Sequence, residues 1–292
     1  MYELIQVSGH CFYIESPAKI GIVTLPDGSA CLIDSGNDKD AGKKVKRILE
    51  AQGWTLRAIY NTHSHADHIG GNKYLQTQTG CRIFARGIEC DFTNHPWLEP
   101  AYLYGGFPPS DLRHKFLMAQ ECAAEPLTEQ VLPEGLTMFS LPGHSFDMVG
   151  FRSEEGIVYL ADCLSSEATL QKYGIGFMVD IGAYLETLEK VKQMKAKLFV
   201  PAHAAPTEDI APLAQLNIDK VNEIADRITA FCEEAKAPEE ILQVLFEAYG
   251  LSMNFEQYVL IGSTLRSYLS WLKDCGQMAS EFSGNRLLWH RV

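Results

Sequence analysis

The chain has 292 residues, of which 46% are hydrophobic and 21% are charged, and its formal net charge is −12. A chain this apolar can bury enough surface to offset its ordering entropy, which excludes an intrinsically disordered protein. The excess of acidic residues argues against a general nucleic-acid coat, which would need Lys and Arg to neutralise phosphates.

Two further features concern the cellular compartment. No hydrophobic run approaches the roughly 20 apolar residues that a membrane-spanning helix requires. The N-terminal sequence lacks the basic and apolar regions of a secretory signal peptide, so we do not expect export. The eight cysteines are scattered without C-x-x-C spacing, and we expect them to be reduced thiols. Together these features predict a cytoplasmic protein without a membrane segment.

The N-terminal part of the chain predicts a β-rich region. Short apolar runs at 10–15 and 20–25 predict two strands, and a Pro-Asp-Gly turn separates the second from a strand at 30–33. The pattern continues with a helix over 40–52, a strand over 56–60, a helix from about His68 to Thr77 and a strand over 81–85.

Residues 88–130 fit this alternation poorly, because they carry several prolines, a Gly-Gly pair and many aromatic side chains. Long irregular segments inside compact domains are usually functional loops or lids, so we interpret this one as an insertion over a site. Its candidates for substrate contact are Trp97, Tyr102, Tyr104, Arg113 and His114, and Tyr173 and Tyr184 have a similar claim further along the chain.

Regular structure is then predicted again. The expected elements are strands over 136–141, 150–153 and 157–161, an amphipathic helix over 183–195 and a buried strand over 198–201. From Asp209 onward the pattern predicts helices over 213–235, 239–249 and 263–275, followed by a small hairpin.

Three helices followed by a hairpin are typical of a winged-helix unit. We therefore predict two domains, residues 1–208 with the insertion and residues 209–292 as a helical, winged-helix-like domain. A nucleic-acid reader would need basic residues on its third helix, which offers only Arg266 and Lys273. We expect this domain to serve in dimerisation or in closing a site.

The segment that follows the strand at 56–60 is dense in side chains that bind metals. It contains His63, His65, Asp67 and His68 within six residues, so that all four can converge from one loop. Neutral imidazole and carboxylate ligands suit Zn, Fe or Mn. This clustering predicts a metal site rather than a polar loop that is histidine-rich by chance.

Three further residues stand at the ends of predicted strands. His144 follows the strand at 136–141, Asp162 follows the strand at 157–161, and His203 follows the last buried strand. In α/β proteins the strand ends converge on one rim, where binding sites are found. We therefore expect these residues to join the histidine-rich loop in one site.

These motifs resemble the metallo-β-lactamase superfamily of metallohydrolases. Its signature, Thr-His-x-His-x-Asp-His followed by Gly-Gly, matches residues 62–71, which read THSHADHIGG. The later single ligands of the family match His144, Asp162 and His203, and its early strand-end Asp matches Asp34 in CLIDSG. The chain is similar to the glyoxalase II-like, dinuclear members of this superfamily, some of which carry a winged-helix-like tail.

The resemblance implies a four-layer αββα sandwich that holds two divalent ions, with Zn expected first and Fe or Mn as alternatives. Carried over to this chain, it implies the following ligands: His63, His65 and His144 for the first metal, Asp67, His68 and His203 for the second, and Asp162 as the bridge. Asp34 would orient the ligand loop by hydrogen bonding, although a plain turn role for this residue is an equal alternative.

The implied chemistry is hydrolysis by a metal-bridging hydroxide, which needs no serine or cysteine nucleophile. Asp162 would hold the two metals together, and Asp67 is a candidate to accept a proton during turnover. Many relatives have Thr-Pro-Gly after the ligand that matches His144, whereas this chain has Ser145-Phe146-Asp147. That difference affects the substrate assignment more than metal binding.

Three functions are compatible with these residues. The first is a dinuclear hydrolase of a small ester, thioester or lactone, and it is the prediction that we favour. The second is a metal-dependent phosphodiesterase or ribonuclease, and the third is a non-catalytic binding or regulatory protein on the same fold. We expect a small-molecule substrate, no nucleic-acid or membrane partner, and a homodimer as one role for the C-terminal domain.

Overall fold

The computed structural model describes residues 2–292, which group into two compact units. The first unit contains the chain up to Leu141 together with Phe146–Leu164 and Met194–Ile210. The second contains Pro142–Ser145, Ser165–Gln193 and Ala211–Val292. The predicted domain boundary at residue 208 remains a prediction.

A seven-stranded sheet forms one layer of the first unit, with its strands in chain order. The strands are β1 (Glu3–Gln6), β2 (Cys11–Glu15), β3 (Ile20–Thr24), β4 (Ser29–Ile33), β5 (Thr55–Tyr60), β6 (Arg82–Ala85) and β7 (Ala124–Pro126). Strands β1 to β4 pair with one another in antiparallel fashion, whereas the pairs β4–β5, β5–β6 and β6–β7 are parallel. The carboxyl ends of β4 and β5 therefore lie at the same edge of the sheet.

A second sheet contains four strands in the order β11, β10, β9, β8. Their bounds are β8 (Leu136–Ser140), β9 (Val149–Ser153), β10 (Ile157–Ser165) and β11 (Leu198–His203). Tyr60 and Phe84 of the first sheet and Phe151 and Tyr159 of the second belong to one apolar core. This core is the contact between the two sheets of the unit.

Helices cover the other face of the seven-stranded sheet. Helix α1 (Lys39–Gln52) packs Val45 and Leu49 into a second apolar core. It begins at Asp38, whose side chain accepts hydrogen bonds from two backbone N–H groups, and it ends at Gly53 in the left-handed conformation. The helix predicted at 40–52 is thus confirmed with its cap.

The predicted helix from His68 to Thr77 is wrong, because the segment forms two helices. These are α2 (Ala66–Ile69) and α3 (Asn72–Thr79), and Gly70 and Gly71 separate them. A Cβ on Gly70 would lie 2.3 Å from the carbonyl carbon of Asn37, and a Cβ on Gly71 would lie 2.3 Å from the carbonyl oxygen of Ser35. The backbone approach that breaks the helix therefore requires glycine at both positions.

The insertion at 88–130 is more regular than predicted. It contains α4 (Gly87–Asn94), α5 (Leu98–Tyr104), strand β7 and two short 3₁₀ turns. Sequence periodicity missed the helices because each covers only about two turns, which is too short for an apolar stripe to stand out. Only the part between α5 and β7 is largely irregular.

The second unit is mainly helical. Its elements are α6 (Glu167–Tyr173), α7 (Ile181–Lys192), α8 (Ala211–Phe231), α9 (Pro238–Ala248), α10 (Phe255–Asp274) and the hairpin strands β12 (Met278–Ser283) and β13 (Arg286–Arg291). The predicted helices and hairpin are present, α10 beginning eight residues earlier than expected, and the winged-helix character remains a prediction.

Two expectations about the chain as a whole can be compared with residues 2–292. All eight cysteines are free thiols, seven of them buried and Cys275 exposed. Within the same range, no helix combines the length and the apolar character that crossing a bilayer demands.

Candidate metal centre

The site lies at the rim where β4, β5, β10 and β11 end. Asp34 directly follows β4, Asp162 lies within the last part of β10, and His203 is the last residue of β11. Asp34 (φ 65°) and Ala161 (φ 50°) adopt the left-handed conformation, which is unfavourable for residues with a Cβ. Such strained positions cluster at functional sites, where the surrounding structure enforces them.

Four of the predicted ligands converge within the first unit. The Nε2 atom of His68 lies 3.0 Å from Oδ1 of Asp162, and the Nε2 atom of His203 lies 3.1 Å from Oδ2 of the same carboxylate. The Oδ2 atom of Asp67 is 3.4 Å from Nε2 of His203 and 3.7 Å from Nε2 of His68. One ligand atom from each residue lies within 4.8 Å of all the others.

The orientation of both imidazoles is fixed from outside the site. The Nδ1 atom of His68 is 2.8 Å from Oδ2 of Asp34, and Nδ1 of His203 is 3.0 Å from the carbonyl oxygen of Pro17. Because both partners are acceptors, Nδ1 carries a proton, and Nε2 is the atom that each ring turns towards the carboxylates. A ligand histidine in a metal site is held in this way.

The donor set fits a divalent metal ion. Within residues 2–292, the fully buried Nε2 atom of His68 has no hydrogen-bond partner, although Asp162 is only 3.0 Å away. A buried polar atom of this kind requires an explanation. A cation that accepts imidazole and carboxylate ligands together would satisfy both groups.

His63 and His65 form a second pair of imidazoles, with Nε2 of His63 3.0 Å from Nδ1 of His65. The Nδ1 atom of His63 is 2.9 Å from the hydroxyl of Thr62, so His63 presents Nε2. On the far side of His65, Nε2 lies 3.7 Å from Oε1 of Glu99. The two rings turn Nε2 of His63 and Nδ1 of His65 towards each other on one side of the loop, where two ligands of one ion would lie.

His144 belongs to the second unit, where its own contacts orient it. Its Nδ1 atom lies 3.0 Å from the carbonyl oxygen of Phe177, which leaves Nε2 as the ligand atom. The preceding Gly143 has φ 122°, and a Cβ there would lie 2.3 Å from the backbone nitrogen of Tyr184. Glycine is therefore required next to this histidine.

Asp34 makes the hydrogen bonds that the sequence predicted for it. Its carboxylate accepts from the backbone N–H of Thr62 at 2.8 Å, from the Thr62 hydroxyl at 2.7 Å and from His68. The residue is 3% exposed and fixes both the beginning of the ligand loop and one of its imidazoles. The alternative of a plain turn residue is therefore wrong.

Glu89 is a second buried carboxylate at the ligand loop, and no sequence motif pointed to it. Its Oε2 atom accepts from the backbone N–H of Ser64 at 2.9 Å and from the Ser64 hydroxyl at 2.6 Å. Its Oε1 atom accepts from the backbone N–H of Asp147 at 3.0 Å. Through Glu89, helix α4 of the insertion thereby holds Ser64, the residue between His63 and His65.

The charges at the rim favour a cation. The Asp162 carboxylate raises the pKa of His203 to about 10 in spite of burial. Burial alone would raise the pKa of Asp67, but His68 and His203 outweigh it and lower that pKa to about 2. Burial lowers the pKa of His65 to about 4, so this ring is neutral near pH 7. The two carboxylates therefore remain ionised and attract positive charge.

Glu99 differs from these carboxylates. Burial, assisted by the nearby charge of Glu89, raises the pKa of Glu99 to about 8. Both glutamates come from the insertion, which the sequence had linked to the substrate rather than to the ligand loop. Helices α4 and α5 therefore bring two acidic side chains to the histidine-rich segment.

Comparison with known proteins gives a sequence match and a structural match. The sequence profile of the metallo-beta-lactamase superfamily matches residues 14–203. The beta-lactamase-like protein 2 homolog of Drosophila melanogaster is 26% identical over 222 residues, which cover 73% of this chain and 67% of that protein. A hydroxyacylglutathione hydrolase of Erythrobacter litoralis is 43% identical over 56 residues, only 18% of this chain and 22% of the enzyme.

Among solved structures, a metallo-beta-lactamase family protein of Thermus thermophilus superposes with a TM-score of 0.73 at 17% identity. The match covers 100% of this chain and 98% of that chain. The predicted αββα fold class is thereby confirmed, and the profile covers the ligand loop, Asp162 and His203. The chain belongs to the metallo-beta-lactamase superfamily.

Proposed function

We propose that the protein is a dinuclear metal-dependent hydrolase that acts on a small ester, thioester or lactone. The observation that carries the proposal is the convergence of two imidazole Nε2 atoms, those of His68 and His203, on the Asp162 carboxylate. Membership of a superfamily that includes a hydroxyacylglutathione hydrolase supports hydrolysis of an acyl compound.

The proposed ligands divide into two sets. Asp67, His68 and His203 would hold one ion, and Asp162 would contribute a ligand to both. We assign His63, His65 and His144 to the other ion, since they stand at the remaining ligand positions of the superfamily signature. Zn is the first choice of metal for imidazole and carboxylate ligands, with Fe and Mn as alternatives.

When bound, two divalent ions lower the pKa of a coordinated water and stabilise the negative charge that develops on the attacked acyl oxygen. The residues of the chain supply the remaining functions. Asp34 and Glu89 fix the ligand loop through its backbone, so that the imidazoles need no reorganisation during the reaction. Asp67 has the most exposed carboxylate of the group and accepts a proton during turnover.

The test combines metal analysis with a substrate screen. We expect two ions per chain after loading with Zn²⁺, and hydrolysis of at least one member of a panel of thioesters, esters and lactones. The H68A variant should lose metal and activity, whereas E125Q, on an exposed carboxylate paired with Arg82, should retain both. Turnover that survives replacement of both His63 and Asp162 by Ala would contradict the mechanism. Preferential hydrolysis of a phosphodiester would overturn the acyl assignment.

A further inference from the structure

Three aromatic side chains form a continuous surface in the first unit, which we call the aromatic wall: Phe92, Tyr102 and Phe146. The ring centroids of Tyr102 and Phe146 are 5.3 Å apart in an edge-to-face arrangement, and those of Phe92 and Phe146 are 6.0 Å apart. Phe92 is buried and packs against Phe146, whereas Tyr102 and Phe146 remain 37% and 39% exposed. Paired aromatic rings that stay exposed in this way are typical of ligand-binding surfaces.

The aromatic wall is attached to the candidate metal centre at two points. Tyr102 lies one helical turn after Glu99 on α5, and residues spaced by three share a helix face. Glu99 in turn lies 3.7 Å from Nε2 of His65.

The second attachment runs through the backbone beside Phe146. The N–H of the next residue, Asp147, donates to Glu89, whose other carboxylate oxygen accepts from Ser64 in the ligand loop. Two different elements therefore connect the aromatic wall to residues 64 and 65 of the ligand loop.

The charge of this region selects among ligands. Residues 87–104, which include α4 and α5, contain no Lys or Arg, and their acidic residues include Glu89 and Asp91. A carboxylate or phosphate on the ligand would be repelled there, and no cation of the segment would compensate for its desolvation. An uncharged ring or alkyl chain meets no such cost and gains from contact with the aromatic faces.

We propose that the aromatic wall binds the acyl group of the substrate and that the enzyme prefers thioesters of uncharged aryl-acetic acids over acetyl and over anionic acyl groups. This inference rests on the proposed hydrolase function. In the reaction, water adds to the acyl carbon and the C–S bond breaks. The products are a carboxylic acid, which keeps the oxygen of the water, and a thiol, which takes up one of its protons.

The experiment measures kcat/KM for the phenylacetyl, acetyl and succinyl thioesters of one thiol, N-acetylcysteamine. The phenylacetyl compound should be the best substrate and the succinyl compound the poorest. F146A and Y102A should each reduce the phenylacetyl-to-acetyl ratio about tenfold, which is the usual scale for losing part of a hydrophobic pocket. Y102F keeps the ring and should keep the ratio.

F107A is the matched control, since Phe107 is an aromatic residue of the same insertion that is 78% exposed and lies outside the aromatic wall. It should leave the ratio unchanged. Thermal unfolding of each variant identifies any loss of fold, and F146L then replaces F146A.

A binding measurement separates this inference from the proposed function. The non-hydrolysable ketone analogue of the phenylacetyl thioester, with a methylene between carbonyl and sulfur, is titrated by calorimetry. Its Kd should rise about tenfold in F146A and Y102A. Binding that responds to these variants without hydrolysis of any thioester would contradict the proposed function and leave the aromatic wall supported. Hydrolysis with unchanged phenylacetyl-to-acetyl ratios and unchanged Kd in both variants would overturn the proposed role of the aromatic wall in acyl binding. The proposed hydrolase function would stand.

Discussion

The two ends of strands β4 and β10 both gather acidic side chains and histidine, yet they differ in how those groups are held. At the carboxyl ends of the strands lies the candidate metal centre. At their amino ends is a cavity of about 450 Å³ whose lining includes His10, Asp27, Glu154 and Glu155. The difference between the two ends shows that a metal site needs more than the right residue types.

At the cavity, backbone N–H groups and serine hydroxyls engage two of the acidic side chains. Asp27 accepts from the backbone N–H and the hydroxyl of Ser29, and Glu155 accepts from the backbone N–H of His10 and from the Ser8 hydroxyl. At the rim, in contrast, acceptors outside the site hold the imidazoles, and their second nitrogens face carboxylates. Convergence together with outer support, rather than a high density of acidic groups, distinguishes the metal centre.

The strongest test of this contrast is Asp162→Asn at the rim against Glu154→Gln at the cavity. Loss of partners outside a metal site costs about 10–100-fold in affinity or activity, so losing the bridging carboxylate should cost more than about 100-fold. Zinc content and kcat/KM measure the effect, and circular dichroism checks the fold. A comparable loss of zinc content and kcat/KM in E154Q would show that the cavity and the rim do not differ in metal binding.

Glu89→Gln and Glu155→Gln form the next pair, because each glutamate accepts from a backbone N–H and a serine hydroxyl. An amide offers one acceptor oxygen in place of two, so both variants should unfold at lower temperature. Only E89Q should also weaken zinc binding, by about 10–100-fold in competition with a chromophoric chelator. Equal zinc affinity in the two variants would show that the α4 contact does not support the ligand loop.

Asp38 is a carboxylate of the first unit that caps α1 and pairs with Lys115. The Ala41 N–H holds the pKa of Asp38 below its ordinary value, and Lys115 acts in the same direction. D38A should lower the free energy of unfolding by about 1 kcal/mol at pH 7. A lowered folded-state pKa means that this contribution is complete above the ordinary Asp pKa of about 3.9 and is lost as the pH falls through the folded value.

Urea unfolding of the wild type and D38A at pH 7 and pH 3 measures that difference. D38N keeps a capping side chain without the charge and serves as the control, with a smaller loss than D38A at pH 7. A difference between wild type and D38A that grows at pH 3 would contradict the assigned sign.

The smallest effect is expected for His10→Ala at the cavity. The ring is exposed, and its Nδ1 atom lies 3.2 Å from the Thr24 hydroxyl. Stability should change by less than about 0.5 kcal/mol, and zinc content should not change. A loss of zinc in H10A would identify the cavity as a second metal-binding region.

The candidate ligands could be selected from the sequence because they follow a local rule. His63, His65, Asp67 and His68 lie on one short segment, and Asp162 and His203 stand at strand ends that a period-two apolar pattern reveals. Helix α1 was predictable for the same reason, since its apolar stripe and terminal glycine are visible locally.

The groups that orient the ligands could not be predicted in this way. Two of them are backbone carbonyls, those of Pro17 and Phe177, which no residue type identifies. Glu89 and Glu99 are distant in sequence from the segment they contact, and nothing about either position distinguishes it from an ordinary surface glutamate. The break between α2 and α3 depends on the close approach of residues 35–37, which is also a tertiary contact.

That close approach has a consequence for how the protein can evolve. With Gly70 and Gly71 pressed against a neighbouring backbone, almost any substitution there displaces His68, so this stretch tolerates little genetic drift. The exposed faces of α4 and α5 carry no such steric restriction, and substitutions at Tyr102 or Trp97 leave the glycines undisturbed. Selection can therefore diversify ligand preference on the insertion while the reaction chemistry is inherited unchanged.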